Sequence, residues 1–165
     1  MQLQYAVSRE IVRFFLIDKI IEWKPGERAS AVKNVALSED FFDDHFPRMP
    51  IMPGMLILEG MAQLGGILLE ETVKKELGIS DKAIMTMIDK TKFRATTRPG
   101  DQLIYEAVIS GFNDMGGRVS VMAKKAGKPV VSTTFTFAFH AIDDAYLLRD
   151  RQRLLDLWLG SLDNG

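Results

Sequence analysis

Residues 45–63 read HFPRMPIMPGMLILEGMAQ, and they join a proline-rich loop to a long apolar segment. Each of the three prolines fixes a backbone angle, so we expect the loop to hold His45 in a defined place. Residues 54–75 contain no proline and are rich in helix formers, which predicts a long helix that begins at Gly54. We expect it to end near Leu77-Gly78, where Gly78 suits a left-handed cap. The first half of this helix is apolar on almost every face and should be buried, whereas its charged turns from Glu70 onward should emerge into water.

One glutamate, Glu59, interrupts the apolar half of the predicted helix. A lone glutamate in such a run more often marks a helix face that meets solvent, and a buried carboxylate needs a partner or a cavity. Gln63 lies four residues further along on the same face, where its amide can hydrogen-bond to the carboxylate and orient it. The first backbone N–H groups of the helix, starting with that of Gly54, have no partner within the helix and attract negative charge.

These groups suit one kind of chemistry, the removal of a proton next to a thioester or ketone carbonyl. Either His45 or Glu59 would take the proton, and the other would protonate a departing hydroxyl. The N–H of Gly54 would stabilise the enolate-like oxygen. The sequence leaves open whether His45 and Glu59 meet within one chain or across a dimer interface.

Segments with strand character flank the predicted helix on both sides. They are residues 13–23 and 28–37, which form a hairpin, and residues 84–93, 102–111, 118–126 and 129–140. Residues 143–159 have an amphipathic helical pattern, so we expect a single domain, 1–165, with a C-terminal helical extension at 141–165. One buried helix among antiparallel strands predicts an α+β fold in which a curved sheet wraps the helix and leaves edges that dimers often pair.

Composition narrows the class of protein. The chain has 165 residues and is 47% hydrophobic, which fits one globular domain, and its net charge of −1 gives no case for nucleic acid or an anionic membrane as a partner. It has no cysteine and no visible secretory signal, so we expect a reducing, cytoplasmic compartment. For residues 51–69 we prefer a helix buried in protein over a membrane span, because a central carboxylate is costly in lipid.

The central segment carries a specific set of motifs. They are HFP at 45–47, PIMPG at 50–54, LILE at 56–59 and MAQ at 61–63, followed elsewhere by FLIDK at 15–19, VKNV at 32–35, IDK at 88–90, KFR at 92–94 and RPGDQL at 98–103. With these motifs the sequence resembles the FabZ/FabA-type 3-hydroxyacyl carrier-protein dehydratases. Glu59 places it closer to the FabZ branch, because FabA-type enzymes carry aspartate at that position.

The resemblance implies a hotdog fold, a long central helix wrapped by an antiparallel sheet, in homodimers that often assemble further into trimers of dimers. It implies an active site at the dimer interface, where His45 removes the α-proton of an acyl-carrier-protein thioester. Glu59 of the other subunit helps the hydroxyl leave as water, and the N–H of Gly54 polarises the carbonyl. We predict Gly54, Gln63 and Phe93 as substrate-binding residues, with Phe93 in the wall of an acyl tunnel or, as the alternative, in the ordinary core. The resemblance also implies that no metal or organic cofactor is needed.

Three features depart from the family pattern, and the first is that Glu10-Ile11-Val12-Arg13 stands where the family has His-Arg-x-Pro. Arg48-Met49 stands where the family usually has Gly-Arg, which puts a bulky charged side chain beside the histidine, and the tail beyond His140 is an extension. Two alternatives therefore stay open, a hotdog thioesterase that activates water and a non-catalytic acyl-binding subunit. A basic patch for docking an acidic carrier protein would come from Arg94, Arg98, Lys124, Lys125 and Lys128, against the alternative of a solvated strand face.

Overall fold

The computed structural model describes residues 14–160 and Leu162. Their order is β1 (Lys19–Lys24), β2 (Arg28–Asn34), a short 3-10 turn (Asp40–Phe42), α1 (Gly54–Leu77), β3 (Lys82–Phe93), β4 (Gln102–Phe112), β5 (Gly116–Lys125), β6 (Lys128–His140) and α2 (Ala145–Leu159). The strands form one antiparallel sheet that packs around the long helix α1. This confirms the predicted α+β class and the hotdog architecture.

The sheet places its longest unpaired edge at β3. The strand order is β1-β2-β4-β5-β6-β3, so β1 and β3 are the two edge strands. β3 is 12 residues long and exposes several large apolar side chains, namely Ile84, Met85, Met87, Ile88 and Phe93. A long apolar edge is a surface for pairing with another strand, because its N–H and C=O groups lack a neighbour on one side.

Helix α1 is the centre of the core, as the apolar sequence predicted. Most side chains between Ile57 and Val73 are buried against the sheet. The helix ends at Leu77, where the sequence predicted its end, and is followed by Gly78, which has a φ of 70°. The N–H of Gly78 donates to the carbonyl of Lys74, so glycine provides the left-handed cap that the sequence indicated. Among the described residues, no helix is long and apolar enough to cross a membrane.

Two sequence predictions about the chain before and after β1 and β2 were wrong. The first strand begins at Lys19, because Leu16 and Ile17 turn inwards to pack in the core instead of pairing in the sheet. Arg13, the first residue of the predicted strand, lies outside the described residues. The second strand ends at Asn34, whose N–H donates to a carboxylate oxygen of Asp18 (2.6 Å). The chain then leaves the sheet, and Leu37 is exposed.

Glu70 corrects the expectation that the charged turns of α1 emerge into water from that residue onward. Its side chain is only 3% exposed. It accepts hydrogen bonds from Arg151 of α2, from the Nζ of Lys82 and from the N–H of Ala83. A buried carboxylate is tolerated when it is paired and hydrogen-bonded, and these long-range partners satisfy it here.

The C-terminal helix α2 forms where the amphipathic pattern predicted a helix. Asp144 caps it by accepting hydrogen bonds from the N–H groups of Tyr146 and Leu147. Leu155 and Trp158 are the side chains that α2 buries in the core.

Candidate active site

The proline-rich loop fixes His45 by backbone hydrogen bonds on both sides. Its N–H donates to the carbonyl of Phe41 (3.1 Å), and its carbonyl accepts from the N–H of Ile51 (3.0 Å). The loop is joined to the rest of the domain where the N–H of Met52 donates to the carbonyl of Thr97 (2.8 Å). The prediction that this loop holds His45 in a defined place is confirmed by these bonds.

One hydrogen bond decides which ring nitrogen of His45 is available for chemistry. Nδ1 lies 2.8 Å from the carbonyl oxygen of Ile51. A carbonyl oxygen can only accept, so Nδ1 carries the proton, and in the neutral imidazole Nε2 holds the free lone pair. The ring of Phe46 stacks on the imidazole at 4.3 Å between centroids, which fixes its plane. Nε2 is therefore positioned to act as a general base.

The carboxylate of Glu59 is oriented by Gln63, at the i+4 spacing that the sequence indicated. The amide Nε2 of Gln63 donates to Oε1 of Glu59 (3.1 Å) and to the carbonyl of Phe14 (3.0 Å). The amide Oε1 accepts from the N–H of Leu16 (3.2 Å). These contacts allow one orientation of the amide, because the Leu16 N–H can only donate and the Phe14 carbonyl can only accept.

The side-chain amide of Gln63 therefore makes its hydrogen bonds to other groups of the protein. Both of its N–H groups and its oxygen already have partners, which favours a role in orienting Glu59 over direct contact with a substrate. Oε2 of Glu59 makes no hydrogen bond to any described residue, so this oxygen of a half-buried side chain is the one available to a reacting group.

Gly54 and Phe93 come together at the start of α1. A Cβ atom added at Gly54 would lie 2.6 Å from the ring of Phe93, so glycine is what lets the ring cover the helix terminus. Phe93 itself is about half exposed. As the first residue of α1, Gly54 has an N–H without an acceptor in the helix, and this group can bind the oxygen of an incoming carbonyl.

The two acid–base residues are not joined within one chain. No hydrogen bond or ion pair links His45 to Glu59 in the described part of the molecule. Gly54 and Glu59 are five residues apart on α1, which places them about 140° apart around the helix axis. Glu59 therefore faces the segment around Phe14, whereas Gly54 faces Phe93.

A buried lysine of the VKNV motif, whose ion pair the sequence did not reveal, supports the histidine loop. Lys33, on β2, has its side chain 5% exposed and pairs with Glu39, which immediately precedes the 3-10 turn leading to His45. Asp18 lies 4.0 Å from the same Nζ. The signal that was available is a lysine on the inward-facing alternation of β2, beside Ala29 and Ala31, where a charge needs a buried partner.

Arg48, which departs from the family pattern, lies in a turn directly after His45. Residues 46–49 form a tight turn, closed by the N–H of Met49 donating to the carbonyl of Phe46 (2.9 Å). Arg48 lies in this turn with its side chain in solvent, and its φ is not positive, so it fits without backbone strain. In the described residues no three potential metal ligands of the His, Asp or Glu type come together.

Comparison with known proteins agrees with this fold and site. Residues 10–134 match the model of the FabA-like domain. A Bacillus cereus protein named 3-hydroxyacyl-(acyl-carrier-protein) dehydratase FabZ is 38% identical over 125 residues, which is 76% of this chain and 85% of the relative. One of the same name from Acetivibrio thermocellus is 43% identical over 128 residues, 76% and 84% of the two chains. The chain therefore belongs to the FabA-like family, and these relatives place it on the FabZ branch.

Solved structures share the fold at low sequence identity. The dehydratase heterocomplex ApeI:P from Xenorhabdus doucetiae has a TM-score of 0.61 at 13% identity, covering 82% of this chain and 89% of that one. A Streptococcus mutans protein bound to acetyl-CoA has a TM-score of 0.59 at 14% identity, covering 82% and 98%. At these identities the likeness concerns the fold alone.

Proposed function

We propose that this chain removes water from a 3-hydroxyacyl thioester carried by an acyl carrier protein, giving a trans-2-enoyl thioester in fatty-acid or related acyl-chain biosynthesis. The observation that carries the proposal is the hydrogen bond from Nδ1 of His45 to the carbonyl of Ile51, because it makes Nε2 the free base. The FabZ relatives, named for this reaction, support the same conclusion.

His45, Glu59 and the N–H of Gly54 together account for every proton and electron pair that moves in the reaction. Nε2 of His45 takes a proton from the carbon next to the thioester carbonyl, and the electron pair of that C–H bond forms the new double bond. The N–H of Gly54 binds the carbonyl oxygen while negative charge develops on it. The C–O bond at the third carbon breaks, and the hydroxyl leaves as water with a proton from Glu59. His45 then holds the proton taken from the substrate and Glu59 lacks the one given to water, so transfer of a proton from His45 to Glu59 completes the cycle.

We infer that the complete site takes Glu59 from a second copy of the chain. Glu59 lies about 140° around α1 from its own Gly54, so one substrate cannot easily meet both within one chain. The exposed apolar edge of β3, which ends at Phe93 beside Gly54, offers the pairing surface for a homodimer. Further assembly into trimers of dimers and a cytoplasmic location stay predictions from the sequence.

Of the five basic residues predicted to dock a carrier protein, two form ion pairs with carboxylates of this chain. Lys124 pairs with Glu106 (2.6 Å), and Lys125 pairs with Asp101 (2.9 Å). The other three, which we call the basic rim, make no side-chain ion pair with a described residue; they are Arg94, Arg98 and Lys128. Arg98 does donate its backbone N–H to the carboxylate of Asp101, so Arg94 and Lys128 are the cations whose charge is most available to an acidic carrier protein.

The direct test is formation of enoyl thioester from a 3-hydroxyacyl carrier-protein substrate, followed by absorbance. We expect the wild-type chain to be active, and His45→Ala and Glu59→Gln each to lose about 100- to 10,000-fold in kcat. Full activity in either variant would remove that residue from the mechanism. Release of free thiol without enoyl product would instead indicate a thioesterase, and bound acyl chains without turnover would indicate a non-catalytic subunit.

A further inference from the structure

The carboxylate of Glu59 begins a row of residues along one face of α1. Glu59, Gln63, Gly66 and Glu70 follow one another at spacings of four, three and four residues, so they lie on the same side of the helix. We call this row the polar stripe. The family motifs account for its first two members, but not for Glu70, whose partner Arg151 lies beyond residue 134, where the family match ends.

Helix α2 is attached to the far end of the polar stripe. The guanidinium of Arg151 donates to both carboxylate oxygens of Glu70, from Nη2 at 2.7 Å and from Nε at 3.0 Å. The same Nη2 lies 4.0 Å from the position that a Cβ at Gly66 would occupy, so the arginine lies across the stripe. A bidentate pair to a buried carboxylate fixes geometry as well as contributing attraction.

The other end of α2 reaches the segment that holds Gln63. Trp158 is 4% exposed, and its ring meets the edge of Phe15 at 6.3 Å between centroids and 81° between planes. Arg151 and Trp158 are seven residues apart, about two turns or ~10.5 Å, which is the separation of Gln63 and Glu70. Helix α2 therefore runs antiparallel beside the polar stripe.

Phe15 lies between the two residues whose backbone groups hydrogen-bond to Gln63. The carbonyl of Phe14 and the N–H of Leu16 both bond to the Gln63 amide, and that amide donates to Glu59. We infer that α2 is a positioning element for Glu59, with Trp158 holding Phe15 so that its neighbours hold Gln63. This inference rests on the proposed dehydration, and it assigns the extension a part in that reaction.

The test compares variants of α2 in the full chain. Trp158→Ala should lower kcat about tenfold with little change in KM, because a misdirected Glu59 affects the reacting bond more than binding. Trp158→Phe keeps an aromatic edge against Phe15 and should recover most of that loss. Leu157→Ala is the matched control, since Leu157 is 71% exposed on the same turn, and it should stay within about twofold of wild type.

A double-mutant cycle separates positioning from general loss of stability. If Trp158 acts through Gln63, then Trp158→Ala should cost little further activity in a Gln63→Ala background. Equal losses in both backgrounds, or an unchanged kcat in Trp158→Ala, would overturn the inference. All variants are assayed well below their unfolding temperatures, so that the comparison concerns folded protein.

Hydrogen exchange at the N–H of Leu16 gives a readout that does not depend on activity. This N–H bonds to Gln63, so Trp158→Ala should make it exchange several times faster while the core of β4 is unchanged. If Trp158→Ala exchanges faster but the wild type forms no enoyl product, the proposed reaction is refuted while the link from Trp158 through Phe15 to Gln63 is supported. Unchanged exchange with an active wild type would refute the link alone.

Discussion

Replacing Tyr105 by phenylalanine should make the protein more stable. Tyr105 lies on β4 against α1, is fully buried, and its hydroxyl has no hydrogen-bond partner among the described residues. A buried polar group without a partner costs about 1–3 kcal/mol, and phenylalanine fills nearly the same space. We therefore expect a gain of about 1–2 kcal/mol in the free energy of unfolding at neutral pH. That corresponds to roughly 2–8 °C in Tm for a chain of this size.

The same hydroxyl predicts a pH dependence. Burial raises the pKa of Tyr105, and the negative charges of Asp18 and Glu39 raise it further. The unfolded chain releases this proton above about pH 10, whereas the folded chain keeps it, so the free energy of unfolding falls as the pH rises beyond that value. Above that pH, Tyr105 lowers the free energy of unfolding by at most about 1.4 kcal/mol per pH unit. The Tyr105→Phe variant has no such hydroxyl and does not show this fall. The advantage of the variant should therefore widen between pH 9 and pH 11, values chosen to bracket the ordinary tyrosine pKa of about 10.

The assay is denaturant unfolding at fixed protein concentration, with Tyr146→Phe as the matched control. Tyr146 is 54% exposed, so its hydroxyl is solvated and its loss should change stability by less than about 0.5 kcal/mol. A Tyr105→Phe variant that is less stable than wild type, or that loses stability with pH at the same slope, would refute the reasoning.

Three further predictions concern Gly54, the basic rim and the exposed edge of β3. Gly54→Ala should lower kcat/KM about 10- to 100-fold in the enoyl assay, because the new methyl group would lie 2.6 Å from the ring of Phe93 and must displace that ring from the helix terminus where the carbonyl binds. Wild-type activity would contradict a role for this terminus. Changing the basic rim to alanine should raise KM for carrier-protein substrates more than for pantetheine-like thioesters, and equal effects on both would count against docking. If the chain pairs through β3 as proposed, the wild type should sediment as a dimer and Met87→Asp as a monomer, while Met115→Asp, in an exposed turn, should stay a dimer. A dimeric Met87→Asp would argue against pairing through β3.

Local patterns in the sequence were enough to predict the parts of the site that lie within a few residues of one another. Helical spacing predicted the contact between Glu59 and Gln63, and the prolines predicted a fixed loop around His45. The cap at Gly78 and the antiparallel strands followed from turn residues and from alternation of apolar side chains in the same way.

The contacts that sequence reasoning missed join residues far apart in the chain. Gln63 is held by Phe14 and Leu16, 49 and 47 residues away, in a segment whose β-branched and aromatic composition indicated a strand. Glu70 was expected in water because its partner Arg151 lies 81 residues later. Periodicity describes which face of an element is apolar, but it does not say which distant segment will cover that face.

Mixing two inactive variants tests the central claim most directly, that one dehydratase site combines His45 and Glu59 of different subunits. Purified His45→Ala and Glu59→Gln proteins would be mixed under conditions shown to exchange subunits, and enoyl formation would be followed over time. Random pairing gives one intact site in half of the dimers, so we expect recovery of about a quarter of wild-type activity. Verified exchange with no recovery would contradict a shared site, and it would return both residues to a single chain or to a different chemistry.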